Sequence, residues 1–291
     1  MKNISIIGKG YVGNSLIQLF KDHYPLIIKD KNYLSFTYPD KIKDYLSEDL
    51  SEIDDEQEMR NEVNKADLGI IAVPTPMKED KSCNISIVEE VISWLETPVI
   101  LIKSTVPPGT TNMLKNKYHK RICFSPEYAG ESSYYTPPEY QSPTDMKQHP
   151  YVVIGGDSAD RVYIIDLLTP ILGPTKKYFQ CSAKESEAVK YFENVLFSAK
   201  ITFANEMRNI CEAMNIDYYM VREGWLLDPR ICPMHTLAMA EKESGGRGFG
   251  GKCLIKDTNA LIQASLKAGY NPKFLKQILL SNDEFIKIKQ R

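Results

Sequence analysis

The chain has no run of apolar residues approaching the ~18 needed to span a bilayer. Nor does it begin with a charged stretch followed by an apolar one, since Met1 to Gly8 lead straight into a glycine-rich turn. A membrane span and an export signal are excluded on this reading, and a soluble, cytoplasmic protein is expected. There is little net charge: 36 basic against 38 acidic residues leave −2, without the basic bias that nucleic-acid binding calls for. The six cysteines, Cys83, Cys123, Cys181, Cys211, Cys232 and Cys253, form no CxxC pair or metal-like cluster. They read as reduced thiols. The four histidines, His23, His119, His149 and His235, lack metal-ligand spacing and are assigned no role. No metal site is expected. Internal repeats and low-complexity tracts are absent too. What remains is a chain of 291 residues, 43% hydrophobic, long enough to bury a core in one large or two ordinary domains.

Short β-branched runs alternate with helical periodicity through the first 180 residues. Strands are read at Ile4 to Ile7, Leu26 to Ile28, Leu68 to Val73, Val99 to Ile102, Arg121 to Phe124 and Tyr151 to Ile154. Such alternation implies a parallel sheet, a doubly wound Rossmann-type α/β domain over residues 1–181. Residues 130–150, rich in Tyr, Pro, Ser and Gln, read as a surface excursion. From Ser182 a long amphipathic helix runs to about Met214, opening a mainly helical domain over residues 182–291 that holds a glycine-rich loop at Gly245 to Gly251. Along that helix Phe192, Val195, Leu196, Ala199, Phe203 and Met207 make one apolar stripe, which is either core packing or a homodimer interface.

Gly8, Gly10 and Gly13, with Tyr11 and Val12 between them, form a GxGxxG turn that follows a strand and opens a helix. In that context the backbone can approach a pyrophosphate at a helix N-terminus. Asp30 closes the second strand at the distance expected for an acid that binds a ribose 2′-hydroxyl, which favours NAD. It can also be read as a solvated turn residue. Lys29 and Lys31 flank it and leave NADP open.

Four further stretches carry a resemblance: Val73-Pro74-Thr75-Pro76, Lys103 to Thr110 (KSTVPPGT), Ser125-Pro126-Glu127-Tyr128, and Gly248 to Asp257 (GFGGKCLIKD). Together with Lys190 to Asn194 (KYFEN) and Asp228-Pro229-Arg230-Ile231, and in this order, they resemble the UDP-glucose/GDP-mannose dehydrogenase family over nearly the whole chain. The resemblance implies an oxidoreductase acting on a CH–OH donor: NAD-dependent oxidation of a nucleotide sugar, UDP-glucose to UDP-glucuronate first among them, in the service of polysaccharide biosynthesis. The reaction passes through two hydride transfers, with a cysteine thiohemiacetal and then a thioester between them.

Cys253 matches the family's nucleophile. It follows Gly250-Gly251, where missing side chains admit substrate, and Lys252 and Lys256 stand near to favour a thiolate. A cysteine is otherwise most often a small buried hydrophobe. Lys190 and Asn194 lie four apart on one helix face and match the family's pair that holds the developing alkoxide and thiohemiacetal oxygen. A lysine and an asparagine so spaced are more often a solvated face. By the same resemblance Glu127 is a general base acting through water, and Asp257 positions the hydrolytic water or else meets a helix dipole. Thr105 orients water and contacts the cofactor, or caps the helix after Pro107-Pro108. Pro74, Thr75 and Glu131 contact the cofactor, although Ala129 and Gly130 depart from the family's residues ahead of Glu131. Glu127, Lys190, Asn194, Gly250 and Arg230 bind substrate. Arg230 would reach into a neighbouring subunit's site, unless it is a surface salt bridge.

The family continues into a second Rossmann-like domain, whereas this chain ends at Arg291. The expectation is therefore a chain lacking that domain, complete in itself or working with a separate partner that supplies it. Two other readings stand beside it. One is a two-electron β-hydroxyacid-type dehydrogenase, which needs no cysteine. The other is an NAD-binding protein inactive without its partner.

Overall fold

The computed structural model describes residues 2–31, 33–37, 55–128, 145–238, 247–250 and 253–288. In chain order the elements are β1 (Ile4–Ile7), α1 (Tyr11–Phe20), β2 (Leu26–Asp30), β3 (Tyr33–Thr37), α2 (Glu56–Val63), β4 (Leu68–Ile71), α3 (Ser86–Trp94), β5 (Val99–Ile102), α4 (Thr110–Tyr118), β6 (Ile122–Phe124), β7 (Tyr151–Gly155), α5 (Ser158–Leu172), β8 (Lys177–Cys181), α6 (Ala183–Ala213), α7 (Tyr218–Trp225), α8 (Leu254–Lys267) and α9 (Lys273–Phe285). The chain divides into two compact units. The first holds 1–76 and 84–190, the second 77–83 and 191–291.

The first unit is one eight-stranded sheet in the order β3-β2-β1-β4-β5-β6-β7-β8. β1 pairs in parallel with both β2 and β4, so the winding direction reverses at β1. In open α/β sheets that reversal leaves a crevice at the carboxyl ends of the strands, where ligands bind. Period-two alternation sorts the apolar side chains to two faces. Ile4, Ile6, Leu68, Ile70, Val99 and Leu101 pack under α1 and α5. Ile7, Ile71, Ile100 and Ile102 pack under α2, α3 and α4. Full burial of each such side chain contributes roughly 1.5–3 kcal/mol, which is why central strands read as continuous apolar runs.

The sheet is not wholly parallel. β2 turns back at Lys31, with φ of +46°, and pairs antiparallel with β3. β6 and β7 also meet antiparallel. Neither β3 nor β8 was expected from the sequence. β8 is a half-exposed edge whose alternation is too polar to signal burial. The long helix matches its expected extent within a residue at each end.

The second unit is helical. Tyr218 on α7 packs with Ala204 and Cys211 of α6. Leu254 and Ile255 of α8 pack with Ile201 of α6 and with Leu275, Ile278 and Leu279 of α9. Among the described residues no helix is long and apolar enough to cross a membrane, and no group of three or more His, Cys, Asp or Glu is placed to hold a metal ion.

Candidate functional site

The chain leaves β1 through Gly8, at φ +99°. A Cβ there would stand 2.4 Å from the Ala72 carbonyl oxygen at the end of β4, and one on Gly13 would stand 2.0 Å from the Gly8 carbonyl oxygen. These two glycines serve the protein's own packing. Gly10 differs, because a Cβ on it would meet nothing within 4 Å. Its missing side chain therefore leaves open space at the N-terminus of α1, which has no side-chain cap and no acidic residue in its first turn. First-turn amides have no partner within their helix and carry positive potential, so this cradle fits a pyrophosphate. Tyr11 and Val12 begin that turn, with Tyr11 exposed.

One strand over, Asp30 ends β2 half-buried, and the Gly8 N–H donates to the Lys29 carbonyl at 2.8 Å. The Lys29 ammonium is committed elsewhere, donating to the Lys31 carbonyl at 2.8 Å and to Glu56 at 3.0 Å. That removes one of the two cations that left a 2′-phosphate possible on sequence grounds.

The loops after β4 and β5 are tied to each other. Thr75 Oγ1 donates to the Thr105 carbonyl at 2.8 Å, and Ser104 Oγ to the Val73 carbonyl at 2.8 Å. Pro74, Thr75 and Thr105 are thus brought together at the carboxyl edge of the sheet, beside the glycine turn. Thr105 is not a helix cap. The N-cap of α4 is Gly109 at φ +101°, and the helix starts at Thr110 rather than at the prolines.

Glu127, just past β6, is buried, and its Oε1 accepts the Tyr128 N–H at 2.7 Å. Lys103 at the end of β5 places its ammonium 3.9 Å from Glu127 Oε2 and donates to Ser125 Oγ at 3.1 Å and to the Pro126 carbonyl at 3.2 Å. Burial holds the Lys103 ammonium below the usual lysine range; Glu127 works against that shift and Lys190 adds to it. His149 is lowered by burial as well, with Glu127 opposing. Lys190 stands 5.4 Å from the Tyr128 ring centroid. Lys103, Glu127 and His149 line one small cavity of about 40 Å³, walled by Leu16, Leu19 and Phe20, enough for one or two waters. Sequence reasoning assigned nothing to Lys103 or His149. A lysine directly after a buried strand was the available signal for the first; for the second there was none.

In the second unit, the Asn194 carboxamide donates to Asp257 Oδ2 at 2.6 Å, both side chains buried. One turn further along α6, Ser198 Oγ lies 3.2 Å from Thr258 Oγ1, so a buried polar ladder joins α6 to α8. Cys253 is exposed at the N-cap of α8, one turn before Asp257. Lys256 is ion-paired with Asp257, and so its charge is directed to that carboxylate rather than to the thiol as the sequence suggested. Arg230 is surface-exposed and forks onto both oxygens of Asp228. Gly250 is half-buried. Glu131, Gly251 and Lys252 lie outside the described residues.

Residues 2–169 match the NAD binding domain of the UDP-glucose/GDP-mannose dehydrogenase family, and residues 184–284 match its central domain. The chain belongs to that family. NAD is its cofactor, as the family's domain and the glycine cradle agree. Similar proteins include UDP-glucose 6-dehydrogenase TuaD of Bacillus subtilis (strain 168), 29% identical over 98% of this chain and 63% of that protein. The UDP-glucose 6-dehydrogenase of Rickettsia felis is 27% identical over 97% of this chain and 65% of its own length. Among solved structures, a UDP-glucose dehydrogenase from Pyrobaculum islandicum superposes with a TM-score of 0.77 at 25% identity, covering 98% of this chain and 68% of that one. A 3-hydroxyisobutyrate dehydrogenase from Mycobacterium tuberculosis, at 12% identity and a TM-score of 0.66, shares the fold alone. The chain thus spans just under two thirds of the curated relatives named here.

Proposed function

We propose that this chain is the cofactor-binding and catalytic part of an NAD-dependent nucleotide-sugar 6-dehydrogenase, with UDP-glucose as substrate and UDP-glucuronate as product. The observation that carries the reading is Cys253 exposed at the N-cap of α8, one turn from an Asp257 that is buried against Asn194. A thiol at a helix N-terminus sits where negative charge is favoured. A two-electron β-hydroxyacid dehydrogenase has no need of it.

On this reading residues 1–181 bind NAD through Gly8, Gly10, Tyr11, Val12, Gly13, Asp30, Pro74, Thr75, Thr105 and Glu131, and residues 182–291 supply the catalytic cysteine. Two NAD molecules, bound one after the other, would supply the hydride acceptors for the two oxidations. Glu127 takes the proton of the C6 hydroxyl through a water, and the cavity it shares with Lys103 and His149 has room for one. The Cys253 thiolate then adds to the aldehyde carbon, making the C–S bond of a thiohemiacetal whose oxygen is stabilised by Lys190 and Asn194. After the second oxidation, water positioned by Asp257 and Thr105 attacks the thioester carbon, the C–S bond breaks, and the thiolate and a carboxylate are released. Gly250 and Arg230 complete the substrate contacts, Arg230 from a neighbouring subunit. Phe192, Leu196 and Phe203 of α6, exposed at 60%, 57% and 53%, support a homodimer through that helix.

The test is NADH absorbance with a panel of UDP- and GDP-sugars, wild type against Cys253→Ser. Two NADH per sugar, stalled in the variant, is the expected result. Full turnover in Cys253→Ser would move the protein to two-electron chemistry. No turnover with any sugar would move the protein to a partner-dependent or a non-catalytic reading.

A further inference from the structure

We propose that Asn282 is a positioning residue for the reaction, a clamp on the glycine-rich loop that presents Cys253; the proposal rests on Cys253 being the nucleophile. Asn282 lies on α9, and its side chain is buried. Its Oδ1 accepts the Phe249 N–H at 2.7 Å while its Nδ2 donates to the Phe249 carbonyl at 2.8 Å. One side chain thus satisfies both backbone polar groups of one loop residue.

Everything around this pair fits that use. Gly248 turns at φ +101°, and a Cβ there would stand 2.5 Å from Asn282 Oδ1, so the glycine makes room for the clamp. The Phe249 ring is fully buried in the cluster that also holds Ile201, Ile278 and Leu254. The Arg247 N–H reaches the Ile288 carbonyl at 3.4 Å, a second tie between the loop and the segment that follows α9. On the far side, α8 begins at Leu254. Asn282 therefore anchors the backbone at Phe249, four residues before Cys253 in sequence. An apolar residue would fill the same space, but it would leave the Phe249 N–H and carbonyl buried without the partners that Asn282 gives them. What the carboxamide adds over an apolar side chain is a fixed backbone path. Catalytic groups displaced by 1 Å lose on the order of 100-fold in rate.

The experiment uses the full chain with Asn282→Ala and Asn282→Asp, and reads three things. Amide exchange of the segment from Gly248 to Cys253 is expected to rise roughly tenfold in Asn282→Ala. Iodoacetamide alkylation of Cys253 at neutral pH, measured against exposed Cys232 in the same molecule, should slow about threefold as the thiol loses its fixed place at the helix N-terminus. In the active enzyme kcat should fall roughly 100-fold with the KM for NAD unchanged. Asn282→Asp keeps the shape and the acceptor, so its exchange and alkylation ratio should return to wild-type values as the pH is lowered and the protonated carboxyl regains the donor. Unchanged exchange and alkylation ratio with only a lower Tm would overturn the clamp. If Cys253→Ser leaves NADH formation intact, the nucleophile reading falls, while exchange and alkylation still decide the clamp.

Discussion

The carboxylate of Glu187, on α6, accepts the backbone N–H of Thr111 at 2.7 Å and that of Gly109 as well, so a fully buried acid caps the N-terminus of α4. Burial raises its pKa to about 7, with the Thr111 and Gly109 bonds pulling the other way. The folded protein therefore holds this proton where the unfolded chain releases it. The contribution to stability is fully present below pH ~4.5 and is lost as the pH rises through about 7. Urea unfolding at pH 5 and pH 8 should show wild type losing more stability than Glu187→Gln, by up to about 3 kcal/mol. Equal losses in the two proteins would refute the shift.

His235 has the opposite sign. It stacks on Phe197 at 4.1 Å between centroids, and burial, aided by Lys200, lowers its pKa to about 4. Between pH 6.5 and 4 the unfolded chain takes up a proton that the folded one refuses, so stability is present above 6.5 and is lost as the pH falls. His235→Phe should flatten that acid-side loss in the same unfolding series. A variant curve parallel to wild type would show that His235 does not titrate there.

The glycines of the turn should separate by function. Gly10→Ala places a methyl in open space, so it should fold with an unchanged Tm while weakening NAD binding by roughly 1.4 kcal/mol, or tenfold, in calorimetry. Gly13→Ala drives its methyl into the Gly8 carbonyl and should lose both Tm and binding. Matching effects of the two would contradict the distinction.

Lys103 and Glu127 are a buried pair, and removing one partner strands the other. Lys103→Met should cost roughly 3 kcal/mol in chemical denaturation. Lys103→Met with Glu127→Gln should cost less than the sum of the two single changes, by about 1–3 kcal/mol in a double-mutant cycle. Additivity would show the two groups are not coupled.

Leu196 and Phe203 lie seven residues apart on the exposed stripe of α6. If that stripe is a homodimer interface, Leu196→Asp should halve the mass seen in sedimentation while leaving helical circular dichroism unchanged. A monomeric wild type would remove the interface.

Much of this protein was written in local order. The runs at Ile4–Ile7 and Val99–Ile102 read as strands because they are short and rich in β-branched residues, and Gly8 to Gly13 mark the passage from strand to helix. The α6 periodicity carries its own length, since helix hydrogen bonds are made within the segment. The order of the family motifs along the chain is likewise a property of sequence alone. What tertiary structure decided is where charge goes. Lys29 was read as a flank of the cofactor acid and is held by Glu56; Lys256 was read beside the thiol and is held by Asp257. Lys103 and His149 drew no assignment, yet they share a cavity with Glu127. Asn282 drew no assignment either, yet it is bonded to a loop 33 residues earlier. Each of these outcomes depends on partners distant in sequence, and a long flexible side chain carries no local signal of which one it will meet. Backbone periodicity is set by neighbours along the chain, whereas the electrostatics of a site is set by neighbours in space.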